Sequence, residues 1–259
     1  MAQIQFAISG AMGRMGQMIT DVASNASDMV LCGGLEYAQS PHQGAVCGTG
    51  TITDDAAHLS DADVIIDFSR PEATKALIEV AKKTGQALVI GTTGLTDEDE
   101  QLLHDAAKTT PILYCANTSM GVNLLLKLVQ KAASALGDEW DIEIVETHHN
   151  QKIDAPSGTA LALGQAAAQG RGVQLEDVRD AGRDGITGAR TKGDIGFAVM
   201  RGGNVAGEHS VMFYGEDERI ELTHIANQRT IFARGALSAA RFMAGKPAGL
   251  YSMDDVLGL

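Results

Sequence analysis

Residues Gln3–Glu36 read QIQFAISGAMGRMGQMITDVASNASDMVLCGGLE, and the fold class follows from their order. Gln3–Ser9 is a short strand-like run that passes at once into Gly10-Ala11-Met12-Gly13-Arg14-Met15-Gly16. An amphipathic helix is expected from about Gln17 to Ser24. A strand that enters a helix through glycines leaves unpaired backbone N–H groups aimed at one spot. The helix dipole adds partial positive charge there, so a pyrophosphate fits. The spacing is GxxGxxG rather than GxGxxG, and taken alone such a loop reads equally well as a tight turn. A second strand, Met29–Leu35, ends at Glu36. An acid roughly 20 residues past the loop can accept hydrogen bonds from ribose hydroxyls.

Strand-like runs continue at Asp63–Phe68, Ala87–Ile90 and Ile112–Cys115, separated by helix-like segments such as Pro71–Lys83, where proline suits a first helical turn. Three of these strands run out into small or polar residues: Ser69-Arg70-Pro71, Gly91-Thr92-Thr93-Gly94 and Ala116-Asn117-Thr118-Ser119. Ligands of open parallel sheets bind beyond the carboxyl ends of the strands, where these residues would stand. The first half therefore reads as a dinucleotide-binding α/β domain of Rossmann type. The Glu36 carboxylate would repel a 2′-phosphate, and the next residue is Tyr37 rather than arginine. NADH is the expected cofactor, with Arg14 as the cation that would admit NADPH.

Bulk properties narrow the class. At 44% apolar residues the chain can bury a core, and its 259 residues suffice for one large domain or two modest ones. No apolar run is long enough for a membrane span, and MAQIQFAISG carries no basic leader, so a signal peptide is not expected. The formal charge of −13 speaks against nucleic acid or an anionic membrane as partner. Cys32, Cys47 and Cys115 show no CxxC spacing, which suits a reducing cytoplasm rather than a disulfide framework.

Beyond Ser119 the pattern changes. Gly121–Leu136 reads as a helix, Asp141–Thr147 as a strand whose end delivers His148 and His149, and Pro156 onward as a helix start with Ser157 as cap. The amides of Gly158 and Thr159 would then take a carboxylate. Alternation at Gly196–Arg201, His209–Tyr214 and Arg219–Ile225 predicts a further sheet, and Asn227–Gly245 a closing helix. The stretch 182–193 (GRDGITGARTKG) lacks periodicity and reads as a mobile loop. Residues 148–159 thus gather a proton donor (His148 or His149), a cation (Lys152) and an anion-binding helix start. These are parts that hold a carboxylate and protonate something beside a hydride donor. Each has a plainer reading: a solvated histidine pair, a surface lysine, Asp154 capping a turn. No triad partner is visible for Ser157, so a serine nucleophile is not expected. Zinc on the adjacent histidines with Glu146, His209 or His224 is not expected either, because neighbours on a strand face opposite ways and i,i+4 spacing is missing.

The run EIVETHHNQKIDAPSGTA at 143–160 resembles the signature of the 4-hydroxy-tetrahydrodipicolinate (dihydrodipicolinate) reductases. The resemblance extends in order over GAMGRMG, DFSRPE, VIGTTG, ANTSMGVN and FAVMRGGNVAGEH, nearly the whole chain. It implies NAD(P)H-dependent reduction of a cyclic dicarboxylate in the diaminopimelate route to lysine. It implies His148 as proton donor, with Lys152 as a second acid or carboxylate ligand. His149, Gly158 and Thr159 would contact substrate. The cofactor would lie along Gly10, Ala11, Met12, Gly13, Arg14 and Met15, with Glu36 at the ribose. Gly91, Thr92 and Thr93, and Cys115, Ala116, Asn117 and Thr118, would approach its nicotinamide half. The resemblance also implies that residues 1–119 and 229–259 form the nucleotide domain. Residues 120–228 would form an inserted α+β domain for substrate and for assembly into a homotetramer. Hinges are expected near Ser119 and Asn227. Where the family uses NADPH readily, a basic residue stands beside the ribose acid, and Tyr37 departs from that pattern. Two other readings keep the scaffold: an imine-forming amino-acid dehydrogenase of the aspartate dehydrogenase kind, and a nucleotide-sensing protein without turnover.

Overall fold

A computed structural model describes residues 3–259. Along the chain run β1 (Ile4–Ser9), α1 (Arg14–Ala23), β2 (Met29–Leu35), β3 (Val46–Cys47), β4 (Gly50–Thr53), β5 (Val64–Asp67) and α2 (Pro71–Thr84). Then come β6 (Ala87–Ile90), α3 (Asp97–Ala106), β7 (Pro111–Tyr114), α4 (Met120–Leu136), β8 (Asp141–His148) and α5 (Gly158–Arg171). The rest is α6 (Leu175–Val178), β9 (Arg179–Asp180), β10 (Ile195–Arg201), β11 (Glu208–Tyr214), β12 (Arg219–Ile225), α7 (Thr230–Met243), β13 (Gly249–Tyr251) and α8 (Met253–Leu257). The chain divides into two compact units, one running to Met120 and resuming over Thr230–Leu259, the other Gly121–Arg229.

The first unit is an eight-stranded sheet in the order β13-β7-β6-β5-β1-β2-β4-β3, parallel throughout except for the β3–β4 hairpin. Both sheet faces are covered, which is why β5 (VIID) and β6 (ALVI) are buried at every position instead of alternating. Phe6, Ile8, Val64, Ile66, Val89 and Leu113 pack with the residues of α1 and α7. Ala7, Ile65, Leu88, Ile90 and Ile112 pack on the other face with those of α2 and α3. Successive residues thus serve opposite layers, as the strand period of two requires. Helix α7 rides close over the end of β7 because Gly235 has no side chain. A Cβ there would lie 1.7 Å from the Thr118 carbonyl oxygen.

Two details depart from the sequence reading. Helix α1 begins at Arg14, not Gln17, so Gly16 sits in its first turn, where a Cβ would stand 2.3 Å from the Gly10 carbonyl oxygen. The third glycine therefore serves helix packing, and the loop proper is Gly10–Gly13. The short pieces β3, β4, β13 and α8 and the helix α3, opened by a Thr96–Asp99 capping box, carried no reading of their own.

The second unit is a five-stranded mixed sheet, β12-β11-β8-β10-β9, with one face packed on α4 and α5. Ile142, Ile144, Ile195, Val211 and Phe213 supply that face with Leu125, Val129, Leu163 and Ala167 from the helices. On the same strands the intervening residues face away, giving the alternation seen in β8 and β11. Residues 182–193 hold no helix or strand, yet they are tied down. Arg183 and Arg190 both reach Glu143, and Arg190 also reaches Asp141. No helix among the described residues is long and apolar enough to cross a membrane.

Candidate active site

In the parallel sheet β1 has β2 on one side and β5 on the other, so the chain order reverses there. A crevice opens beyond the carboxyl ends of strands at such a point. The cleft found here, about 800 Å³, is walled by Gly10, Met12 and Gly13 after β1, Glu36 and Tyr37 after β2, and Ser69 and Arg70 after β5. Gly10 adopts φ +77°, a left-handed conformation that favours glycine, and a Cβ there would lie 2.5 Å from the Phe68 carbonyl oxygen. Its N–H donates to the Leu35 carbonyl, and the Gly13 N–H donates to the Gly10 carbonyl, which fixes the turn. Helix α1 has Gly13 as its N-cap and α2 has Arg70; neither makes a side-chain cap. First-turn N–H groups without a cap await an acceptor. The Glu36 carboxylate receives the Met12 N–H at 2.8 Å, bringing the acid onto the glycine loop. A cradle that any Cβ would fill, uncapped helix starts and an acid at the end of β2 fit a dinucleotide.

Other candidates on this sheet stand differently. Ala11 is buried, and Met15 packs partly into the core. Arg14 is exposed and does not wall the cleft; Arg70 and His42 are the basic side chains that do. The runs Gly91–Thr93 and Cys115–Thr118 follow β6 and β7 at the same edge of the sheet, outside the cleft wall. Gly91 lies under the Phe68 ring, and Thr93 is exposed. The Thr92 hydroxyl turns inward to Asp67, which also accepts from Ser69 and Thr74. Cys115 is a half-buried thiol, pushed up to about 12 by desolvation. Ala116 is exposed, the Asn117 side-chain oxygen accepts the Ser119 N–H, and Thr118 donates to the Phe232 carbonyl. Arg70, placed beyond the end of its strand by the sequence reading, does wall the cleft, whereas Asp67, wholly buried, had no reading of its own.

The second unit builds its polar cluster by register. Glu146 and His148 are two apart on β8 and share the covered face, on which His209 of β11 pairs Glu146 and Arg201 of β10 pairs His148. Glu146 is 1% exposed and fully engaged. Arg201 donates two hydrogen bonds to it at 2.8 and 2.9 Å, the Ser157 N–H donates at 2.9 Å, and His148 Nδ1 lies 2.5 Å away. Burial alone would raise the Glu146 pKa. The hydrogen bonds from Arg201, His148 and Ser157 outweigh it and hold the carboxyl below its ordinary value. An ionised carboxylate only accepts, so Nδ1 of His148 carries a hydrogen and Nε2 is the nitrogen left for chemistry. Gly207 flanks that nitrogen: a Cβ on Gly207 would lie 3.0 Å from Nε2.

Around this pair the chain makes a tight loop. Arg201 also donates to the Asp154 carbonyl at 2.7 Å, and Lys152 pairs with the Asp154 carboxylate at 2.8 Å. Asp154 is exposed, so that pair is weakly held and Lys152 can change partners. The His149 N–H donates to the Val205 carbonyl, away from Glu146. Ser157 caps α5 through the Ala160 N–H, and Gly158, exposed with open space around its Cα, starts the helix beside Thr159. Contrary to the sequence reading, Ser157 does have a histidine partner, with Oγ 2.9 Å from His209 Nε2. The serine is nevertheless 2% exposed and committed as a cap. His209 is pushed down to about 4, first by burial and then by His148, and stays neutral. This pair is structural, not a nucleophile with its base. No group of three or more His, Cys, Asp or Glu among the described residues is arranged to hold a metal. Glu146 could have been found from its i,i+2 spacing to His148; Arg201, on a different strand, had no local signal.

Comparison with known proteins agrees with this geometry over the whole chain. Residues 4–118 match the family model described as the N-terminus of dihydrodipicolinate reductase, and residues 121–257 that of its C-terminus. The 4-hydroxy-tetrahydrodipicolinate reductase of Parvibaculum lavamentivorans is 51% identical over 268 residues, covering 100% of this chain and 99% of the relative. That of Zymomonas mobilis is 51% identical over 258 residues, covering 100% and 98%. A dipicolinate-bound dihydrodipicolinate reductase from Paenisporosarcina superposes with a TM-score of 0.80 at 25% identity, covering 96% of this chain and 97% of that one. A Rossmann-type sheet joined to a second sheet, matched along its length by both halves of one family, makes the chain a member of the dihydrodipicolinate reductase family.

Proposed function

We propose that this protein reduces 4-hydroxy-tetrahydrodipicolinate to tetrahydrodipicolinate and water with NADH or NADPH, in the diaminopimelate route of lysine biosynthesis. The observation that carries the reading is the buried Glu146–His148 pair set beside Lys152 and the open start of α5. Substrate, reduced nucleotide and one proton go in; tetrahydrodipicolinate, oxidised nucleotide and water come out. The hydroxyl leaves as water with a hydrogen of the adjacent ring carbon, and the nucleotide, when bound, would supply a hydride to the carbon that bore it, leaving an enamine. His148, holding hydrogens on both ring nitrogens after taking one proton from solvent at Nε2, gives that Nε2 proton to the enamine carbon that results and keeps the one on Nδ1. Lys152 leaves Asp154 for a substrate carboxylate or acts as a second acid. His149 and the amides of Gly158 and Thr159 take the dicarboxylate, since a helix start favours an anion. Gly10–Met15 and Glu36 hold the pyrophosphate and ribose, and Gly91–Thr93 with Cys115–Thr118 serve the nicotinamide half.

NADH is the preferred nucleotide in this reading, because the Glu36 carboxylate faces the loop and Tyr37, exposed beside it, offers no positive charge. Arg70 and His42 on the cleft wall are the groups that would admit NADPH. A homotetramer formed through the second sheet is supported by Met200 and Ile225, apolar and exposed on its uncovered face. Three free cysteines support a reducing cytoplasm.

The test is nucleotide oxidation with freshly generated 4-hydroxy-tetrahydrodipicolinate, run beside oxaloacetate plus ammonia, with NADH and NADPH in parallel. Turnover confined to the cyclic substrate and a higher kcat/KM with NADH is expected. Turnover with oxaloacetate and ammonia instead would reassign the protein as an amino-acid dehydrogenase. A higher kcat/KM with NADPH would refute the reading of Glu36-Tyr37.

A further inference from the structure

We propose that Glu146 is a positioning residue for the reduction: it fixes the tautomer and ring orientation of His148, and Arg201 holds Glu146 in place to do so. The inference rests on His148 being the proton donor. Glu146 is the point from which the whole polar cluster hangs. One oxygen, Oε2, meets His148 Nδ1 at 2.5 Å and Arg201 Nη1 at 2.8 Å; the other, Oε1, meets Arg201 Nη2 and the Ser157 N–H, each at 2.9 Å. Every one of these partners presents a hydrogen, so the carboxylate has no freedom to rotate away from His148.

A carboxylate needed only for packing would be satisfied by the two-pronged arginine and the amide. The additional contact with Nδ1 selects one ring nitrogen of His148 and leaves the other for the substrate. The Nδ1 hydrogen then stays on the ring through the cycle, Glu146 remains anionic, and the proton delivered to the substrate carbon leaves from Nε2 alone, which is reprotonated from solvent before the next turnover. Gly207 completes the arrangement by leaving the space beside Nε2 clear. His209, the other ring in the cluster, stands edge-on to His148 with centroids 5.1 Å apart and is occupied with Ser157, so it does not compete for Glu146. Arg201 extends the same control to the neighbouring loop, since its second prong also holds the Asp154 carbonyl, two residues from Lys152. One buried carboxylate thereby sets the register of His148, the start of α5 and the loop that carries the lysine.

Glu146→Gln breaks this arrangement in a defined way. An amide has one acceptor oxygen for Arg201 and Ser157, which leaves its NH₂ facing Nδ1. A donor at that place demands a lone pair on Nδ1 and moves the neutral ring's hydrogen to Nε2, so the doubly protonated ring that delivers the proton is excluded and only a neutral imidazole N–H, a far weaker acid, faces the substrate. The test combines two readouts on wild type, Glu146→Gln, Glu146→Asp, His148→Gln and the Glu146→Gln/His148→Gln double variant. Ring ¹⁵N shifts of His148 report the tautomer, and steady-state kinetics at saturating nucleotide report kcat and KM. The expected result is an Nδ1–H ring in wild type and in Glu146→Asp, and an Nε2–H ring in Glu146→Gln. In the last, kcat falls by up to the roughly 10²–10⁴-fold that a well-placed donor supplies, while KM changes little. Glu146→Asp recovers most of the loss, and Glu146→Gln costs nothing further once His148 is gone. The same fold-loss in both backgrounds, or an unchanged tautomer in Glu146→Gln, overturns the proposal. Should Glu146→Gln not fold, a Glu146→Asp ring that has lost its Nδ1 hydrogen overturns it equally. Full turnover in His148→Gln would instead sink the assignment of the donor, an outcome the tautomer measurement keeps separate.

Discussion

Two carboxylates lie at the heart of the two units, each almost without solvent exposure, and they are satisfied by opposite means. Asp67 at the end of β5 receives three neutral hydroxyls, Ser69 and Thr74 at 2.5 Å and Thr92 at 2.9 Å. Glu146 near the end of β8 receives a guanidinium, an imidazole and a backbone amide. Asp67 is a clasp. It pins the loops after β5 and β6 so that the glycine turn and Arg70 meet the cleft with a fixed shape. Glu146 is a clasp that also binds an imidazole, the ring proposed above as the proton donor. The difference teaches that the cleft of the first unit is shaped by neutral hydroxyls and backbone, whereas the cluster of the second is held by charged groups in a fixed order.

The comparison can be broken most severely by removing each carboxylate. Glu146→Ala strands buried His148 and half-buried Arg201 and is expected to cost about 3–5 kcal/mol of unfolding free energy. Asp67→Ala strands only hydroxyls and should cost about 1–3 kcal/mol. Urea titrations of both variants check the order; an equal or larger loss at Asp67 would mean that the charged partners add nothing.

Acid should find the same asymmetry. His209 is 4% exposed and titrates at about 4 in the folded protein against 6.5 for the free side chain. Above pH 6.5 the ring is neutral whether the chain is folded or not, and this contribution to stability is complete. As pH falls from 6.5 towards 4, the unfolded chain takes up a proton that the folded ring refuses, so about 3 kcal/mol is lost. Glu146, whose folded pKa lies below its ordinary value, adds a further loss as pH falls through that value. Denaturant midpoints between pH 7 and 4 should decline steeply for the wild type and less for His209→Gln. Parallel slopes would contradict the burial argument.

A smaller effect sharpens the nucleotide side. Gly10→Ala forces a side chain into φ +77° and against the Phe68 carbonyl, a strain of about 1–3 kcal/mol. If it falls on the turn that meets the pyrophosphate, NADH affinity drops roughly tenfold for each 1.4 kcal/mol. Calorimetric titration of NADH into the variant reads this directly, and unchanged affinity would remove Gly10 from the cofactor site.

Much of this was legible in the amino acids because it depends on local pattern. The β1–loop–α1 passage, the apolar runs of β5 and β6, and the Ser157 cap of α5 each have a signal within a few residues. The start of α1 was misread because glycines are poor helix formers, yet Gly16 is admitted there by its contact with Gly10. Arg14 is expected from its place in the glycine loop, whereas Arg70 lines the cleft from a different strand end, because proximity in sequence does not say which side chains share a crevice. Arg201 was invisible for the same reason. It pairs with His148 through the parallel register of β10 on β8, and no spacing in the chain announces that register. The stretch 182–193 is a loop, as its lack of periodicity implies, but no pattern in it announces that Arg183 and Arg190 are bound to Glu143 and Asp141.

The most direct test of the account is the rate of nucleotide oxidation with 4-hydroxy-tetrahydrodipicolinate in His148→Gln, at saturating NADH and beside the wild type. The account predicts unchanged NADH affinity and a kcat lower by roughly 10²–10⁴-fold. A folded, NADH-binding His148→Gln protein with wild-type kcat would contradict it, and the proton would have to come from another group.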